Sequence, residues 1–324
     1  MLQVEHLTKR YGAVTAVDDL SFEIAGAGVY GFLGPNGAGK STTMNIMTGC
    51  LSATAGTVKI SGYDIYESPR EAKRRVGYLP EQPPLYLGET PLEYLRFDGE
   101  AKGVRGSELK RQIDAVVDET GIGDMENRRI SALSKGYRQR VGIAQALLGE
   151  PDTVILDEPT VGLDPIQILE IRALIASLGK SRTVLISSHI LSEVQTMCSK
   201  ILIISHGKLV AFDAPDALES RLASPSPGEI SVTAETDAAS AKALIAGVPG
   251  VSGVAVVSDT PQRSHLTVTA GTGEIYELSR GIFEAFARGG HALSELGVKK
   301  ASLEDIFLEL TEAEPAGGKE VKTA

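Results

Sequence analysis

Cysteine is scarce in this 324-residue chain: Cys50 and Cys198 are the only two, and they stand far apart. They provide neither a disulfide framework nor metal-site spacing, and they suit a reducing compartment. An excess of basic charge is also lacking. Lys and Arg number 32 against 42 Asp and Glu, a formal net charge of -10. A phosphate backbone is met by a basic surface, so no nucleic-acid partner is expected. No apolar run approaches the ~20 residues that span a bilayer. The opening stretch Met1–His6 lacks the basic and apolar regions of a signal peptide. A cytosolic protein is expected, with any membrane work done through a partner. The length and the 42% hydrophobic content suit two soluble domains with real cores.

The strongest local signal is Gly34-Pro35-Asn36-Gly37-Ala38-Gly39-Lys40-Ser41, followed by Thr42. It fits G-x-x-x-x-G-K-[ST], a phosphate-binding loop. Its context fits too. Val29–Leu33 reads as a short buried strand and Ser41–Gly49 as a helix opening on the loop. Glycines let successive backbone N–H groups turn inward on phosphate oxygens. The helix start adds partial positive charge. Lys40 is expected on the β- and γ-phosphates of a nucleotide and the Ser41 hydroxyl on Mg²⁺. A Gly-rich turn alone has no need for Lys40 and Ser41.

The second signal is Val154-Ile155-Leu156-Asp157-Glu158, an apolar strand ending in two carboxylates. It matches a Walker B segment, with Asp157 at the metal and Glu158 polarising the attacking water. The plainer reading is two solvated acids at a strand end. Other residues are ambiguous alone. Tyr11, in a polar loop, fits either an ordinary half-buried tyrosine or a base-stacking platform. Gln82, after the strand Val76–Leu79, can bond Mg²⁺ or water. Ser134 has the chemistry of a helix N-cap. His189, at the edge of the strand Thr183–Ser187, can donate to phosphate or be merely structural. Pro91–Gly103 and Ser107–Thr120 read as helices, making a helical subdomain near residues 86–150.

Pro225 and Pro227 mark a linker over residues 223–228. Beyond it the predicted order is strand, helix, strand, strand, helix, strand, the βαββαβ order of a ferredoxin-like sandwich. A short helix over Leu303–Leu310 is expected after it. Residues 312–324 are polar and small, and a disordered tail is expected there. The expected domains are residues 1–222 and 228–311.

In this order, the motifs resemble the nucleotide-binding subunits of ABC transporters. The resemblance rests on Tyr11, the loop at 34–42, Gln82, Leu133-Ser134-Lys135-Gly136-Tyr137, Val154–Glu158, Gly162-Leu163-Asp164 and His189. It covers roughly the first two-thirds of the chain. Leu133–Gln145, with Ser302–Phe307, looks like the subfamily that pairs with separate exporter-type permeases, including gliding-motility and antibiotic-export subunits. The resemblance implies an α/β P-loop ATPase core with antiparallel-β and helical subdomains, beside the small α+β domain. It implies Tyr11 on the base, Ser134 and Gly136 on the γ-phosphate of a second copy, and Mg²⁺ held by Ser41, Gln82 and Asp157. Glu158, Gln82 and His189 are its expected catalytic residues. A homodimer closing on two ATP molecules follows, with a separate membrane permease on the cytoplasmic face as partner. The alternative is a soluble ATPase of this type acting without a permease. Such proteins usually carry two cassettes or a coiled-coil insertion, and this chain has one cassette. The sequence departs from the usual Leu-Ser-Gly-Gly-Gln at Lys135 and Tyr137. It also has Val161-Gly162 where many relatives have Ser-Ala.

Overall fold

The computed structural model describes residues 1–222, 228–271 and 275–299. The described residues up to Pro215 form one compact unit and those from Asp216 onward a second.

The first unit begins with β1 (Leu2–Tyr11), β2 (Val14–Ile24), β3 (Gly28–Leu33), α1 (Lys40–Met47), β4 (Ala55–Ile60) and β5 (Tyr63–Asp64). Then come α2 (Pro69–Arg74), β6 (Val76–Leu79), α3 (Pro91–Ala101), α4 (Gly106–Thr120) and α5 (Lys135–Leu147). The last part runs β7 (Thr153–Leu156), α6 (Pro165–Leu178), β8 (Thr183–Ser188), α7 (Leu191–Met197), β9 (Lys200–Ser205) and β10 (Lys208–Asp213). Helix α8 (Pro215–Leu222) follows and begins at the boundary between the two units.

Two sheets form this unit. One is antiparallel, in the order β2-β1-β4-β5; the other has the order β10-β9-β3-β8-β7-β6. In the second, β9, β3, β8, β7 and β6 run parallel and β10 closes the edge antiparallel. Parallel strands buried on both faces read as continuous apolar runs, and β7 is buried at every position. A common core joins the sheets: Leu2, Phe22 and Ile24 pack with Phe32, Leu185 and Leu202 and with Met44 and Met47 of α1. Each such large side chain contributes about 1.5–3 kcal/mol by burial. Helix α5 lies close on β6, because a Cβ at Gly77 would fall 1.9 Å from the Ala146 carbonyl oxygen. Only glycine admits that approach.

Leu2–Leu7 and Val17–Ile24 read in sequence as strands on either side of a turn at Tyr11-Gly12, and the hairpin formed is longer. β1 continues to Tyr11, which pairs with Val14, so Tyr11 ends a strand rather than lying in a loop. Register shifts at Val4/Leu7, Leu7/Lys9 and Lys9/Arg10 break the two-residue alternation that marks a strand. Ser61-Gly62-Tyr63-Asp64 reads in sequence as a turn, yet Tyr63–Asp64 pairs with Lys59–Ile60.

The second unit carries β11 (Glu229–Ala234), α9 (Ala238–Ala246), β12 (Val251–Thr260), β13 (Arg263–Ala270), α10 (Ile275–Gly289) and β14 (Leu293–Lys299). Its antiparallel sheet has the order β12-β13-β11-β14. This is the expected βαββαβ arrangement, with its own core around Ile230, Val232, Leu266, Ile282 and Phe286. The expected linker segment Ala223–Pro227, the helix over Leu303–Leu310 and the tail lie outside the described residues.

Candidate functional site

Four parallel neighbours, β3, β8, β7 and β6, send their C-terminal ends to one edge of the sheet. The loop Gly34–Gly39 follows β3, Ser188 and His189 follow β8, Asp157 and Glu158 follow β7, and Gln82 lies just past β6. Ligands of open α/β sheets bind at such edges.

The loop after β3 is built around a buried lysine. Lys40 is 8% exposed, and its Nζ donates to the Gly34 carbonyl at 2.6 Å and the Pro35 carbonyl at 3.2 Å. Burial pulls its pKa down, while the carboxylates of Glu158 and Asp157 oppose the shift. Gly39 holds φ 100°, and a Cβ there would fall 2.4 Å from the Ala16 carbonyl oxygen. The Gly207 N–H donates to the Ala38 carbonyl at 3.0 Å, and the Thr43 hydroxyl to the Gly39 carbonyl at 2.9 Å. No side chain caps the start of α1, and its first turn carries no acid. Its first amides are therefore free for an anion. Asn36, Gly37 and Ser41 are exposed, Thr42 is half-buried and Ala38 is buried. Nearby, the Tyr78 hydroxyl lies 3.4 Å from Asn45 Oδ1, and burial pushes that phenol's pKa well up.

The acidic side is equally ordered. Asp157 is 4% exposed and its N–H donates to the Leu79 carbonyl at 2.8 Å. The Ser187 hydroxyl donates to Asp157 Oδ1 at 2.5 Å and accepts the Glu158 N–H at 2.7 Å. Glu158 holds φ 47°. Its Oε2 lies 2.9 Å from Nδ1 of His189. Ser187 was not among the expected site residues. It reads as a strand terminus, and only the adjacency of β7 and β8 gives it this role.

No described group of three or more His, Cys, Asp or Glu is arranged to hold a metal. Asp157 offers one carboxylate whose Oδ2 has no described hydrogen bond, with the Ser41 hydroxyl exposed on the loop side. That donor set fits Mg²⁺, a hard cation commonly held by one or two carboxylates together with substrate phosphates.

Ser134 and Gly136 stand apart from this group, and no described hydrogen bond joins them to it. Ser134 caps α5, its Oγ accepting the Tyr137 N–H at 3.3 Å. The Gln167 side chain lies against Gly136, and the Lys135 ammonium lies against Gly162. The Tyr137 hydroxyl donates to Asp124 at 2.8 Å, a bond that raises its pKa. Ser134 itself is exposed, as are Gln82 and Tyr11. The Lys9 ammonium lies 5.1 Å from the centre of the Tyr11 ring.

A family model described as "ABC transporter" matches residues 17–161. The bacitracin transport ATP-binding protein BcrA of Bacillus licheniformis is 40% identical over 223 residues, 68% of this chain and 72% of that one. The linearmycin resistance ATP-binding protein LnrL of Bacillus subtilis is 32% identical over 312 residues, 96% of this chain and 98% of that one. The latter likeness therefore extends through the second unit. A solved ATP binding subunit of an ABC transporter has a TM-score of 0.62 at 30% identity, covering 69% of this chain and 93% of that one. CbiO1 from Clostridium perfringens, part of the ABC transporter complex cbiONQ, gives 0.63 at 26% identity, covering 68% and 91%. The chain belongs to the ABC transporter family, as one of its ATP-binding, ATP-hydrolysing subunits.

Proposed function

We propose that this chain drives an exporter whose membrane-spanning part is a separate permease, and that two copies close on ATP to do so. The observation that carries the reading is a site divided in two. Lys40, Asp157, Glu158 and His189 gather at one sheet edge, while exposed Ser134 caps another helix with no bond to them. A second copy, head to tail, would bring Ser134 and Gly136 to the γ-phosphate on the other side. Export is supported by relatives named for bacitracin transport, lantibiotic transport and linearmycin resistance. No described helix is long and apolar enough to cross a membrane. The reading assigns the crossing to the permease and places this chain on its cytoplasmic face.

Within each site the residues divide the work. Tyr11 stacks on the base. Lys40 and the free amides of α1 hold the β- and γ-phosphates. Glu158 orients the attacking water and accepts its proton. His189 holds the Glu158 carboxylate in place through Nδ1. Ser41, Gln82 and Asp157 would hold Mg²⁺, which when bound neutralises charge developing on the phosphate oxygens. Loss of the γ-phosphate removes the link between the two copies and lets them part.

Mixing variants tests the shared site. Ser134→Arg and Lys40→Ala chains should each be inactive. Mixed, they should regain ATPase activity, because each heterodimer keeps one intact site. Heterodimers that form and stay inactive would overturn the head-to-tail assembly.

A further inference from the structure

Glu193, in the first turn of α7, is 3% exposed. An ionised carboxylate is costly to bury unless partners compensate. Here compensation is partial. Arg172 Nη2 stands 3.4 Å from Glu193 Oε1, and Arg172 Nε is buried with no hydrogen-bond partner. A well-packed apolar group often serves stability as well as such a pair or better. Stability alone is therefore a weak account of this acid.

Its other oxygen gives a stronger one. Glu193 Oε2 accepts from the Thr160 hydroxyl at 2.7 Å and lies 3.5 Å from Ser188 Oγ, whose single proton has the Ile190 carbonyl at 3.5 Å as its other acceptor. Ser188 Oγ also accepts the Ile190 N–H at 3.0 Å. Thr160 closely follows Glu158 in sequence, and Ser188 immediately precedes His189. One carboxylate thus touches both turns that carry the His189–Glu158 pair. Through Arg172 it also reaches α6, the helix capped by Asp164. The loop Pro159–Asp164 is held at Thr160 by Glu193 and ends at Asp164, whose Oδ1 accepts the Gln167 N–H at 2.9 Å.

We propose that Glu193 is a positioning residue for hydrolysis: it clamps the turns after β7 and β8 together and so sets the contact between His189 and Glu158. The proposal rests on the reading that Glu158 and His189 serve hydrolysis. The clamp acts through geometry alone. Glu193 is not required to touch the nucleotide or move a proton.

The test uses the full chain with ATP and Mg²⁺. Thr160→Val keeps the shape and removes the hydroxyl donor, while Thr160→Ser restores it. Glu193→Gln and Thr160→Val should each lower kcat about tenfold, with KM and affinity for a non-hydrolysable ATP analogue changed by less than about twofold. Thr160→Ser should stay near the parent chain. Hydrogen exchange should rise together over residues 158–164 and 187–191 in both impaired variants. Combined with His189→Ala, Thr160→Val should add no further loss. Exchange that rises in one segment only, or throughout the cassette, would overturn the clamp, as would losses that add in the double variant. Parent-like turnover by Glu158→Gln would remove the base assignment, and the exchange pattern would still decide the clamp.

Discussion

Glu158 reaches His189 Nδ1 at 2.9 Å from a backbone in the left-handed region, φ 47°. That conformation costs an L-residue about 1–2 kcal/mol. The Ser187 hydroxyl, accepting the Glu158 N–H, holds it there. Strain maintained by its surroundings is characteristic of functional positions. Function and stability should therefore separate at this residue. Glu158→Gln should abolish turnover, keep ATP affinity, and trap a dimer on gel filtration with ATP and Mg²⁺. Glu158→Gly should be equally inactive yet more stable than Glu158→Ala by about 1 kcal/mol, because glycine adopts positive φ freely. Equal denaturation midpoints for the Gly and Ala variants would contradict the strain.

The loop after β3 offers a sharper contrast between two glycines. Gly37 holds φ 82° with open space where a Cβ would go, whereas Gly39 holds φ 100° with the Ala16 carbonyl oxygen 2.4 Å from that point. Gly37→Ala should cost only conformational strain, about 1 kcal/mol, and keep measurable ATP binding. Gly39→Ala must also displace backbone, and should lose ATP binding altogether. Thermal melts and nucleotide titrations of the two variants check this. Similar behaviour would mean that the loop shifts freely to admit a side chain.

The two cysteines report on a different part of the fold. Cys50 is exposed, while Cys198, at the end of α7, is buried. Burial pushes the Cys198 thiol up to about 12. At pH 8 a thiol reagent should modify one site per chain quickly and the second only after denaturation. The sign for stability follows from the same shift. The folded chain holds this proton more tightly than the unfolded chain, whose thiol ionises near ~8.5. The contribution is therefore complete below that value and declines as pH rises above it. Denaturation midpoints from pH 7 to 10 in the parent and in Cys198→Ala should diverge accordingly.

Much of this was legible in the sequence. The strands β3 and β7 announce themselves as apolar runs because parallel strands are covered on both faces. Lys40, Asp157 and Glu158 follow those runs in the chain, so their gathering at one sheet edge can be read from position. Ser187, Thr160 and Glu193 were not legible. Each is an ordinary polar residue in its local context. What unites them is that β7 and β8 are neighbours, and strand order is a property of the fold rather than of any window. The first hairpin looks short in the sequence for a related reason. His6 and Asp19 hold positive φ, at 51° and 54°, in a hairpin whose ladder shifts register, and the alternation of faces slips there.

The second unit should fold without the first. Its order of elements gives each strand an antiparallel neighbour within the unit: β11 pairs with β13 and β14, and β12 with β13. Its helices bury Ile245, Leu278, Ile282 and Phe286 against Ile230, Val232, Leu266 and Val268. That core is separate from the one around Phe32 and Met44. A unit of this size buries enough surface to be marginally stable alone. No expected nucleotide-site residue lies beyond His189. A chain ending near Ala223 should accordingly keep ATP binding. A fragment starting near Pro227 should show mixed helix and strand by circular dichroism and a cooperative melt. The full chain should differ from the shortened one in ATPase rate or dimer affinity, because a second unit that favours one state of the dimer shifts its closure. If the shortened chain loses ATP binding and the fragment melts without cooperativity, the two cores depend on each other. The C-terminal strands are then part of the cassette's own stability rather than an added module.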